Sequence, residues 1–242
     1  MSGKKLVNYS SPIGVLPRKF SFLADSQFQY LYYLIQIREV LNSNGSAFST
    51  IEFLNSFRFS LDLTCPGTMM AVIGIEERAL AEICKQNDTV IANYNCPGQL
   101  VISGAGENIA RAAESAKARG AARTIPLQVS GAFHSPLMQP AVDGMAQVLA
   151  KVTFKDPSVP IIANVTAQPL TSGSQIKDEL LKQLYNGVQW QRSVEYMLQR
   201  NTGRFIEFGP GKVLSGLIRR ISRDAETVNI GDLNAVKALL SY

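Results

Sequence analysis

Histidine occurs once in the 242 residues, as His134. It lies in Val129-Ser-Gly-Ala-Phe-His-Ser-Pro-Leu-Met138, an apolar, strand-like run that breaks into a turn. An imidazole at such a junction can serve as a general base for a hydroxyl or thiol nucleophile. It can equally be an ordinary turn or core histidine. The elbow that would present a serine partner, Gly-x-Ser-x-Gly, occurs nowhere in the chain. A second place for chemistry is Gly209-Pro-Gly-Lys-Val213, which follows the strand-like Phe205-Ile-Glu-Phe208. Backbone amides at such a helix start can hold a phosphate or carboxylate, or the segment can be a tight strand-to-helix turn. Its spacing is not that of a Walker loop. Asn93 and Asn95, just before Pro97-Gly98, read as polar site residues or, better on local grounds, as turn formers. Gly104-Ala-Gly106 reads as a turn, and Trp190, the only tryptophan, as core.

The elements that must position these groups fall into three stretches. Residues 1–65 crowd Phe and Tyr into Phe20-Ser-Phe22, Phe28-Gln-Tyr30 and Tyr32-Tyr33, with a helical period over Tyr30–Val40 and a turn at Asn42–Ser46. No chemistry attaches to this segment. From residue 66 to 130 the pattern is orderly. Strands are expected at Met69–Ile73, Thr89–Tyr94, Gln99–Ser103 and Arg123–Val129, and helices at Glu76–Cys84 and Glu107–Arg119. That β-α-β-β-α-β order is the split arrangement of a ferredoxin-like unit. Residues 131–242 alternate helices (Leu137–Ala150, Ser174–Tyr185, Trp190–Arg200, Lys212–Ile221, Leu233–Leu240) with strands (Val159–Asn164, Arg204–Glu207, Val228–Ile230). Such alternation indicates an α/β layer with a largely parallel sheet.

Bulk properties bound the function class. A hydrophobic fraction of 46% with 18% charged residues suits a soluble globular chain, and no apolar run reaches transmembrane length. The net charge of +5 is spread along the sequence rather than gathered, so neither nucleic acid nor membrane is an expected partner. Cys65, Cys84 and Cys96 are an odd set without ligand spacing, which suits reduced thiols and no metal. The expected location is cytoplasmic; Lys4, Lys5, Arg18 and Lys19 ahead of the first acid, Asp25, leave an organelle-targeting reading beside it.

Six segments, in order, resemble the malonyl-CoA:acyl carrier protein transacylase family. They are Ala92-Asn-Tyr-Asn-Cys-Pro-Gly-Gln99, Val101-Ile-Ser-Gly104, the His134 segment, Val159-Pro-Ile-Ile-Ala-Asn-Val165, Gln183-Leu-Tyr-Asn186 with Val188-Gln-Trp190, and Phe208-Gly-Pro-Gly-Lys-Val-Leu214. The likeness covers about Pro66 to Ile230. It implies a hydrolase-like parallel-sheet core carrying an inserted ferredoxin-like subdomain, with 131–242 as the C-terminal part of that core. It also implies ping-pong transfer of malonyl from coenzyme A to the phosphopantetheine thiol of acyl carrier protein. Malonyl-CoA and acyl carrier protein are thus the expected partners, with the coenzyme A thioester as substrate and no cofactor. By motif, His134 matches the general base and Gln183 the residue whose backbone carbonyl orients it. Asn93 matches a polar group lining the substrate cleft, and Asn164 one near the histidine.

Three family features have no counterpart in these 242 residues: the Gly-Gln-Gly-Ser-Gln oxyanion loop, the Gly-His-Ser-Leu-Gly nucleophile and the Arg-Gly segment that pairs with the malonyl carboxylate. Arg58, in Phe57-Arg-Phe, lacks the last context and takes no role. The expectation is an N-terminally incomplete member with negligible transfer activity by itself. The alternative is a non-catalytic module that binds carrier protein or acts as a scaffold.

Overall fold

The computed structural model describes residues 20–23, 67–129, 131–209, 211–232, 234, 235 and 237. The helix and turn expected within residues 24–66, Arg58, Cys65 and most of the helix expected at 233–240 lie outside the described residues.

Beyond the short parallel strand β1 (Phe20–Leu23), the first folded unit is a four-stranded antiparallel sheet with two helices. Its elements are β2 (Thr68–Ile73), α1 (Glu77–Gln86), β3 (Val90–Cys96), β4 (Gln99–Gly104), α2 (Gly106–Ala118) and β5 (Arg123–Pro126). The order across the sheet is β3-β4-β2-β5, so the chain's first strand of this unit lies inside, between the third and the fourth. On α1, Leu80, Ile83 and Cys84 are buried at helical spacing, and on α2 Ile109, Ala112, Ala113 and Ala116 are. Both helices pack on one face of the sheet, against Val72, Ile91, Leu100 and Ile102. The two-residue connection Pro97-Gly98 joins β3 to β4, with Gly98 at φ +72°, the type II turn pattern of Pro followed by a glycine in the left-handed region. The opposite sheet face carries Met69, Ala71, Ala92 and Val101, and these pack against Leu127, Val129 and Phe133. That face therefore meets the segment that bears His134.

Two larger cores form among the remaining described residues. A 3₁₀ turn (Pro136–Met138) leads into α3 (Pro140–Leu149), whose Met145 and Leu149 pack with Ile176 and Leu180 of α4 (Gly173–Lys182). The single helix expected from Leu137 is divided here, because Pro140 has no N–H to continue a helix and suits its first turn instead. Ser172 starts α4 with a reciprocal capping box to Gln175. β6 (Ile161–Ile162) is shorter than expected, and it pairs antiparallel with β7 (Pro169–Leu170) rather than joining a parallel sheet. The cause is local: Pro160 cannot donate to a ladder, Val159 is exposed, and residues 163–168 close a tight hairpin turn with Ala167 in the left-handed region.

The last core gathers Trp190, Val194 and Met197 of α5 (Trp190–Leu198), Phe205 of β8 (Arg204–Phe208), and Leu214, Leu217 and Ile218 of α6 (Val213–Ile221). Parallel β8 and β9 (Glu226–Ile230) flank α6 in sequence, and β1 pairs parallel on the other side of β8, giving the order β1-β8-β9. Trp190 is buried in this core, as expected. The architecture is mixed α/β. No helix among the described residues is long and apolar enough to cross a membrane.

Candidate active site

His134 adopts φ +58°, a left-handed backbone that a β-carbon normally disfavours. Two ties hold it there. Its backbone N–H donates to the Leu184 carbonyl at 3.1 Å, and its ring Nδ1 lies 2.7 Å from the Gln183 carbonyl. Both carbonyls stand at the end of α4, where the last turn of a helix leaves acceptors without intrahelical donors. The turn is closed from its other side by Ser135, whose buried hydroxyl donates to the Ala132 carbonyl at 2.6 Å.

The ring's charge state follows from competing effects. Burial pulls the imidazole below its ordinary value, while the Gln183 carbonyl, with the Asn186 main chain in the same sense, favours the charged form. Burial wins, so the ring is neutral at pH 7. A carbonyl can only accept, so the Nδ1 atom facing it carries the proton. The Nε2 lone pair is then available to take one, which is the tautomer a base requires.

Gln183 is almost wholly buried, and its side chain is part of the same assembly. Its Oε1 accepts from Asn164 Nδ2 at 3.0 Å, and its Nε2 has no hydrogen-bond partner among the described residues. The Asn164 carbonyl accepts from the Gln189 N–H at 2.6 Å, which ties the hairpin turn to the start of α5. One residue earlier, Val188 bridges to Asn93: the Val188 N–H donates to the Ala92 carbonyl at 2.8 Å, and the Tyr94 N–H to the Val188 carbonyl at 2.9 Å. The half-buried Asn93 sits at an irregularity in the pairing of β3 with β4. His134, Gln183 and Asn164 are thus in one hydrogen-bonded chain, and the Ala92 and Tyr94 main chain on either side of Asn93 joins it through the 187–189 connection.

The Gly209 turn resolves differently from an open anion site. Glu207, 2% exposed, accepts from the Leu214 and Ser215 N–H groups at 3.0 Å each and from the Ser215 hydroxyl. The protein's own carboxylate therefore occupies those amides of the α6 start. Sequence reasoning also passed over Glu179, a buried carboxylate whose Oε1 accepts from the Val165 N–H at 2.8 Å. A signal for it existed: Ile176, Glu179, Leu180 and Gln183 share one helix face, and an acid on that stripe calls for a partner. Among the described residues, no three His, Cys, Asp or Glu side chains are grouped to hold a metal ion.

The acyl transferase domain family matches residues 49–233, more than half of the chain. The chain belongs to that family. Its curated relatives include the malonyl CoA-acyl carrier protein transacylase of Escherichia coli K12, 44% identical over 177 residues, which are 72% of this chain and 56% of that protein. The Bacillus subtilis 168 protein of the same name is 41% identical over 176 residues, covering 71% of this chain and 56% of the relative. The chain thus spans just over half the length of these relatives. Among solved structures, the acyl carrier protein S-malonyltransferase of Vibrio cholerae superposes with a TM-score of 0.81 at 35% identity, covering 90% of this chain and 72% of that one. The mixed α/β architecture is common to this chain and that family member.

Proposed function

We propose that this chain carries the histidine-bearing part of a malonyl-transferring site, in which His134 is the general base. The carrying observation is the imidazole Nδ1 held 2.7 Å from the Gln183 carbonyl, in a chain whose relatives bear the transacylase name. In the proposed reaction Nε2 takes the proton of a serine hydroxyl, whose oxygen attacks the thioester carbonyl of malonyl-CoA. The carbon–sulfur bond breaks, and the coenzyme A thiolate receives the proton from the imidazolium. The second half runs in reverse: Nε2 deprotonates the phosphopantetheine thiol of acyl carrier protein, and the sulfur displaces the serine. A backbone carbonyl fixes the tautomer without adding a carboxylate's charge.

Asn164 and Asn93 would line the cleft where the thioester lies. The unit over residues 67–126 would be the ferredoxin-like subdomain, a reading supported by the order β3-β4-β2-β5 with both helices on one face. The remainder would be part of a hydrolase-like core, supported by the parallel β1-β8-β9 sheet.

The serine elbow is not among the motifs of these 242 residues. The chain alone is therefore expected to move label from malonyl-CoA to holo acyl carrier protein no faster than buffer. Adding a segment that carries the family's Gly-His-Ser-Leu-Gly elbow is expected to produce transfer, and His134→Ala to abolish it. Enzyme-like transfer by the chain alone that survives His134→Ala would overturn the reading.

A further inference from the structure

The hydrogen bonds around His134 lead back to a group that takes no part in the proton transfers themselves. Glu179 is 3% exposed and stands four residues before Gln183 on α4, joined to it by the Gln183 N–H to Glu179 carbonyl bond of 2.9 Å. Its carboxylate is turned to the other side, onto the hairpin turn after β6, where Oε1 accepts the Val165 N–H at 2.8 Å. Asn164, the preceding residue of that turn, reaches back with Nδ2 to Gln183 Oε1 at 3.0 Å. Turn and helix end are therefore clamped twice, once by the acid and once by the amide. The carbonyl that faces the imidazole belongs to the clamped residue.

We propose that Glu179 is a positioning residue for the site: through the Val165 N–H it fixes the Asn164 turn, which braces Gln183 and so sets the tautomer of His134.

A side chain without an acceptor oxygen is a poor alternative here. An apolar side chain would leave the half-buried Val165 N–H without its acceptor, a cost the fold avoids by keeping an acid there. Burial pushes the Glu179 carboxyl up, against the Val165 and Asn164 main chain and the charge of Lys182, which pull it down. Glu179 touches the Val165 N–H and not the ring, so its contribution runs through that hydrogen bond. The acceptor oxygen is the working part, and glutamine, which keeps one, should substitute for it.

The role rests on the reading of His134 as the base. It is nevertheless tested on the ring itself, so its failure would not touch the acyl-transfer reading. Because the chain has one histidine, nitrogen-15 labelling gives a single pair of imidazole signals for the full chain. The wild-type protein at pH 7 should show the proton on Nδ1. Glu179→Ala should cut that tautomer's share by about twofold or more, toward the Nε2–H form. Glu179→Gln should return the wild-type spectrum. Asn164→Ala, which removes the brace and leaves the acid, should shift the ring as Glu179→Ala does, and it serves as the test if the latter fails to fold. An unchanged tautomer in a folded Glu179→Ala or Asn164→Ala variant would overturn the proposal, and so would a glutamine variant that behaves like alanine.

Discussion

Glu207→Ala should be among the most damaging single changes in the chain. The carboxylate is 2% exposed and accepts three hydrogen bonds, from the N–H groups of Leu214 and Ser215 and from the Ser215 hydroxyl. It stands in for the N-cap of α6, whose own cap residue, Lys212, makes no side-chain bond. Truncation leaves three buried donors without acceptors, each costing about 1–3 kcal/mol, less what entering water can recover. It also opens a void where the side chain stood. Together these amount to a loss of about 4 kcal/mol. Glu207→Gln keeps one acceptor oxygen but points an amide at a donor, and should lose roughly half as much. Urea unfolding followed through Trp190 reports the change well, since the single tryptophan shares its core with Leu214. With a slope of about 2–3 kcal/mol per molar urea, the alanine midpoint should fall by roughly 1–2 M with the slope unchanged. A midpoint within about 0.2 M of wild type would mean the three bonds contribute nothing net, and the account of the α6 start would be wrong.

Stability should depend on pH through His134 and Glu179, in opposite senses. The unfolded imidazole titrates at its ordinary 6.5 and binds protons that the desolvated His134 resists, so stability should rise with pH across the window just below 6.5 and level off above it. Glu179 binds its proton more tightly when folded, so its contribution should fall as pH rises above the ordinary 4.5. Urea midpoints across pH 4–8 for wild type, His134→Gln and Glu179→Gln separate the two slopes, and a wild-type slope that survives both substitutions would refute the assignment. Gly187→Ala should cost about 2–3 kcal/mol, because its β-carbon would stand 2.6 Å from the Ile91 carbonyl and push Val188 off β3; a thermal midpoint equal to wild type would contradict that contact. Arg192 pairs with Glu77 at 2.7 Å and lies 4.7 Å over the Tyr94 ring, yet both charged ends are about half exposed. Arg192→Ala should therefore cost under about 1 kcal/mol, and less at high salt; a larger, salt-independent loss in urea unfolding would show that the pair carries more than its exposure allows.

The unit over residues 67–126 was legible because its signals are local. Leu80, Ile83 and Cys84 repeat at helical spacing, and Pro97-Gly98 writes its own turn. His134 and Gln183 were paired by resemblance alone, since 49 residues separate them and nothing in either segment encodes the contact. The pairing of Phe20–Leu23 with β8 was equally out of reach: parallel partners are chosen by tertiary packing, not by the strand's own pattern. β6 was misjudged because its apolar run masked what Pro160 and the 163–168 turn do to a ladder. The partners of Glu179 and Glu207 are backbone N–H groups on other elements, and any residue type supplies those.

The protonation of one ring bears on all of this most directly. A nitrogen-15 imidazole spectrum of the unmodified chain at pH 7 should show a neutral His134 with its proton on Nδ1, directed at the Gln183 carbonyl. An imidazolium, or a neutral ring protonated on Nε2, would leave no base at this site and would contradict the account.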